Sequence, residues 1–131
     1  MRTTKWCIVF VALLSVSATA ADAGVGTLSN VVVGEVAIIS VPVGTPPQIH
    51  KPGNLSISIQ GGFQPPAGVS CSDTNFLTTL AGVDTDGSML QLLIAAVTSG
   101  QKVNLGITDD PQYNAFPGLC SLMFVSLQKK P

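Results

Sequence analysis

Asp84-Thr85-Asp86-Gly87-Ser88-Met89-Leu90-Gln91-Leu92-Leu93-Ile94-Ala95-Ala96-Val97-Thr98-Ser99-Gly100 is the one stretch with a good helix signal. Asp84 or Asp86 can cap its start, with Gly87-Ser88 at the entry. Gly100 stands where a left-handed C-cap residue belongs. Between these ends only Gln91 interrupts the apolar run from Met89 to Val97, and no face carries a charge. An ordinary surface helix has one apolar stripe and a charged back. This one, near 20 Å at about 1.5 Å per residue, is too short to cross a membrane. It is therefore expected to be buried on most sides, inside its own domain or between subunits.

Around the helix the chain reads as strands. Val31 to Val43 is rich in β-branched residues and apolar on both faces, as a central or long curved strand is. Gly34 marks a bulge or bend in it. Asn54 to Gln60 alternates, with Leu55, Ile57 and Ile59 inward. A weaker strand lies between Cys71 and Leu80. After the helix, Lys102 to Thr108 puts Val103, Leu105 and Ile107 on one face, and Leu119 to Leu127 forms a last strand with Phe124 in the core. Asp109-Asp110-Pro111 is a turn, and Lys129-Lys130-Pro131 a solvated tail. The order is β-β-β-α-β-β, mainly β with one helix. It suits an OB-fold-like five-stranded barrel, and a generic α+β roll fits it as well.

The N-terminus has the form of an export signal. Arg2 and Lys5 make a basic start, Trp6 to Val16 an apolar run of 11 residues, and Ser17 to Ala23 a small-residue zone. Two positions fit the small-x-small rule: cleavage before Ala21, after Ala18-Thr19-Ala20, and cleavage before Gly24, after Ala21-Asp22-Ala23. The expected division is a signal peptide over residues 1–23 and one OB-like domain over 24–131, secreted or periplasmic, with no membrane span in the mature part. Cys7 leaves with the leader. Cys71 and Cys120 remain, an even count that argues for one disulfide closing a loop of 50 residues.

Composition excludes several functions. Beyond residue 23 there are four lysines (51, 102, 129 and 130) against six acids (Glu35, Asp73, Asp84, Asp86, Asp109 and Asp110), a formal charge of −2. Nothing there attracts nucleic acid or anionic lipid. The whole chain is 10% charged, against about 25% in ordinary domains. Either other subunits cover part of the surface, or the surface is rich in Ser, Thr, Gly and Gln. The single histidine, His50, reads as an exposed loop residue, so no metal site and no Ser-His-Asp arrangement is expected. Asp84/Asp86 read as caps and Asp109/Asp110 as a turn rather than as catalytic carboxylates. No cofactor and no enzymatic activity are expected. Asn54-Leu55-Ser56 matches an N-glycosylation triplet, a pattern common by chance. Phe63, Tyr113 and Phe116 fall in loops, as a contact surface or as local hydrophobic plugs.

The segments Cys71-Ser72-Asp73-Thr74-Asn75, Leu90 to Ala96, Thr98 to Leu105 and Leu28-Ser29-Asn30-Val31-Val32-Val33 resemble the pentamer-forming B subunits of bacterial AB toxins. The likeness is in particular to the subtilase cytotoxin B subunit and its pertussis-like relatives, and it covers roughly residues 28–127. It implies an OB fold, a ring-shaped homo-oligomer with the helices around a central pore, a catalytic A subunit as partner, and a host glycan, typically sialylated, as ligand. Of the family's sugar-contacting residues it carries over Ser29. Tyr113 joins it on chemical grounds, because a tyrosine offers a sugar both a flat face and a hydroxyl. The acidic residue expected just before that serine is missing, and no Trp lies beyond Trp6. The rival expectation is a monomeric secreted or periplasmic inhibitor or accessory protein, whose helix would be covered by its own strands.

Overall fold

The computed structural model describes residues 22–45 and 48–128. The leader as far as residue 21 and the Lys129–Pro131 tail lie outside them. The elements are β1 (Val25–Val31), β2 (Val33–Ile38), β3 (Val43–Thr45), β4 (Gln48–His50), β5 (Leu55–Ile59), β6 (Phe76–Thr79), α1 (Ser88–Ser99), β7 (Val103–Thr108), a 3-10 turn (Pro111–Tyr113) and β8 (Ser121–Leu127). The protein is mainly β with a single helix. Six strands form an open mixed sheet in the order β1-β7-β8-β6-β5-β2, and β3 and β4 pair separately. Every neighbour pair in the large sheet is antiparallel except β6 and β8, which run parallel at Thr78 and Ser121.

The alternating strands pack as their sequences require. Leu55, Ile57 and Ile59 are buried, and Val103, Leu105 and Ile107 are fully so. With Leu77, Leu93 and Leu122 they form the centre of one core. The Val31–Val43 strand differs from its expected bounds. It begins at Val25, is broken at Val32, and ends at Ile38. Only Val32 separates β1 from β2, yet the two lie at opposite edges of the sheet. Gly34 is the extra residue where Val33↔Ile59 gives way to Glu35↔Ser58, a bulge in β2.

Phe124 is not in the core; it is 46% exposed. The ladder runs Gly106↔Phe124 and then Ile107↔Leu122, which leaves Met123 as an extra residue in β8. That bulge resets the alternation, so Leu122 and Val125 both face inward and Phe124 faces out.

Disulfide pairing joins Cys71 to Cys120, with Cα atoms 5.3 Å apart. Cys120 is buried beside Ser121, and Cys71 lies against the core. The bond ties the loop before β6 to the start of β8.

Both proposed caps hold α1. Asp84 accepts hydrogen bonds from the backbone N–H groups of Met89 (3.0 Å) and Leu90 (2.9 Å), and Asp86 accepts one from Ser88 (3.0 Å). Gly100 ends the helix at φ 64°, in the left-handed region. Met89, Leu93 and Ala96 make one buried stripe, which packs toward β2 and β8. The opposite face is open: Gln91, Ala95 and Thr98 are exposed, Ile94 is 51% and Val97 37% exposed. The chain itself thus covers one side of the helix, not most of it.

Candidate functional site

Ser29 and Tyr113 lie at opposite ends of β7. Ser29 is exposed on β1, between the pairs Leu28↔Leu105 and Val31↔Val103. Tyr113 is tied to Ser121, whose hydroxyl donates to the Tyr113 carbonyl at 2.6 Å, and Ser121 pairs with Thr108. From the level of Asn104 to that of Thr108 is about 13 Å of strand. Within one chain the two residues do not form one site.

The Ser29 end carries a cluster of neutral amides. Two residues of β1, Ser29 and Asn30, stand against one of β7 there, and Asn30 takes up the extra length at φ 60°, the one non-glycine in the left-handed region among the described residues. Its backbone N–H donates to Asn104 Oδ1 at 3.2 Å. Gln128 Nε2 donates to the same oxygen at 2.8 Å, and Gln101 Nε2 donates to the Gln128 carbonyl. Amides offer donors and acceptors without charge, the complement of a sugar's hydroxyls. These residues come from β1, the turn after α1, β7 and the end of β8. Their convergence is a product of the sheet order, and no spacing along the chain signals it.

At the other end, a pocket of about 380 Å³ is lined by Ser70, Asp109, Pro111, Asn114, Pro117 and Gly118. Asp109 accepts the backbone N–H of Gly24 at Oδ1 (2.6 Å) and that of Ser70 at Oδ2 (2.7 Å). Asp110 caps the 3-10 turn, accepting from Gln112 N (3.0 Å) and Gln112 Nε2 (3.0 Å). The carboxylates of both acidic pairs, Asp84/Asp86 and Asp109/Asp110, thus hold backbone N–H groups. Tyr113 is half-buried.

Two of the loop aromatics, Phe63 and Phe116, act as plugs. Phe63 is buried. Phe116 meets His50 edge-to-face, ring centroids 3.8 Å apart. His50 is therefore not a free loop residue. It ends β4 half-buried, with Nδ1 enclosed and unpartnered, and burial lowers its pKa from the usual histidine value. Asn54 is buried and its Oδ1 accepts the Ala81 N–H at 3.1 Å, so the glycosylation triplet is the entry to β5, with its asparagine tied to the backbone. Among the described residues no three His, Cys, Asp or Glu side chains gather as a metal site. No helix among them is long and apolar enough to cross a membrane.

No known protein family, curated protein or solved structure matches the chain.

Proposed function

We propose that the chain is an exported, non-enzymatic OB-fold binding subunit that associates with copies of itself through α1 and binds a sugar beside Ser29. The carrying observation is the outer face of α1, where Ile94 and Val97 are exposed on a helix with no charged residue. A helix in a monomeric inhibitor should be covered by its own strands. This one is half open, which favours a neighbouring copy as the cover.

The strand connections support the OB reading. Counted as two halves of one bent strand, β1 and β2 reduce the large sheet to five strands, with the helix between the third and fourth and one parallel pair, β6 and β8. A first strand shared between both edges is how such a barrel closes. The amide cluster of Asn30, Asn104, Gln101 and Gln128 beside Ser29 supports a hydroxyl-rich polar ligand at that end. The toxin-subunit resemblance adds a ring of five, a catalytic partner subunit and a sialylated host glycan.

Light scattering on the purified protein is the first test. A ring gives a multiple of the chain's mass, and Ile94→Lys with Val97→Glu dissociates it while leaving the fold intact. A strict monomer at high concentration sinks the assembly reading. A glycan array tests the ligand: Ser29→Ala should abolish a signal the parent shows, and an empty array or equal binding by both rejects the site.

A further inference from the structure

Gly24 is held on all sides. Its N–H donates to Asp109 Oδ1 at 2.6 Å. Its carbonyl accepts from Thr108 Oγ1 at 2.8 Å and from the Asp109 N–H at 3.3 Å. A Cβ at this position would lie 1.9 Å from the Gly68 carbonyl oxygen, so no other residue fits without moving backbone. One position earlier the situation reverses: Asp22 and Ala23 are exposed. Asp109, meanwhile, is a carboxylate whose recorded hydrogen bonds come from two neutral backbone N–H groups, those of Gly24 and Ser70.

We propose that the leader is cleaved between Ala23 and Gly24, and that the new α-ammonium of Gly24 forms an ion pair with Asp109. This rests on the exported reading above and chooses between its two cleavage positions. A leader peptidase hydrolyses the Ala23–Gly24 amide and consumes one water. The water oxygen ends in the Ala23 carboxylate, and its two hydrogens end on the Gly24 nitrogen, which becomes –NH3+. The neutral contact already in place becomes a charge-assisted one without movement. Cleavage before Ala21 would leave that nitrogen an amide and put the new charge three residues earlier in the chain. Asp22 and Ala23 stay exposed, and the seated Gly24 marks where the fold begins.

The test is expression of the full chain in a host with an export pathway, followed by intact mass and N-terminal sequencing of the product. A mature chain starting at Gly24 supports the proposal. A start at Ala21 or elsewhere overturns it and leaves the exported reading standing. A product retaining residues 1–23 overturns both. The ion pair has its own readout, thermal unfolding of forms starting at Gly24 and at Ala21. D109N should lower the melting temperature of the Gly24 form by about 4 °C or more beyond its effect on the Ala21 form. Should D109N not fold, Nα-acetylation of the Gly24 form removes the charge and keeps the N–H, with a similar drop expected. Equal losses, or an acetylated form as stable as the free one, overturn the ion pair.

Discussion

The ring of Phe124 occupies the space where a side chain on Gly106, its partner across the β7–β8 ladder, would begin. A Cβ there falls 2.1 Å from two of the ring carbons. Gly106→Ala should therefore cost about 1–3 kcal/mol, toward the lower end because the half-exposed ring can swing outward. In a Phe124→Ala background the same change should cost much less. Urea unfolding of the four proteins gives the coupling, and additive effects would show that the ring yields freely.

Removal of the disulfide with Cys71→Ala and Cys120→Ala should lower stability on the order of 4 kcal/mol, since the bond closes a loop with a sequence separation of 49. Against a total of about 5–15 kcal/mol that is a large share. Denaturant unfolding of the double variant, beside the parent with and without reductant, checks the figure.

Asp84 satisfies two N–H groups of the first helical turn, and Asp84→Ala should cost about 1–2 kcal/mol. Asp86 acts on the same turn, and hydrogen bonds from the Ser88 backbone and side chain hold its carboxyl below the ordinary range. A carboxylate with a lowered folded-state pKa stabilises above its unfolded value, and that support is lost as pH falls through the lowered one. Helix content followed by circular dichroism should drop below about pH 4, and less steeply in Asp86→Ala.

His50 gives a second pH window. Burial lowers its pKa in the folded state, so the unfolded chain binds the proton more readily. Stability is full above about pH 6.5 and declines as pH falls toward the lowered folded value. It is the one histidine of the chain, so His50→Gln should flatten the melting-temperature profile between about pH 7 and 5. An unchanged slope would assign the window to another group.

Local chemistry made much of this fold legible from the residues alone. Leu55, Ile57 and Ile59, and Val103, Leu105 and Ile107, point where alternation puts them; Gly34 is a bulge and Gly100 a left-handed cap. Other features depend on pairing across the chain. The Gly, Ser and Asn of β1 carry little strand propensity, and their strand exists because β7 is there to bond it. A single inserted residue, Met123, moved Phe124 from the core to the surface. The amides around Asn30 meet only after four segments converge. Of the two candidate sugar contacts, one sits at each end of a strand, a separation that no reading of residue types could contain.

The stretch from Val25 to Ile38 also governs the order in which the protein can be completed. Ile38 pairs with Leu55, which is made soon after it, whereas Val25 pairs with Thr108, a separation of 108 − 25 = 83 residues. Contacts that distant are slow to form. Until β7 has been synthesised, β1 is a row of unpaired donors and acceptors open to any other strand. The earliest strand of the sheet is thus satisfied only when most of the chain exists, and the growing protein's hazard is concentrated in one segment, near the residue at which the fold begins.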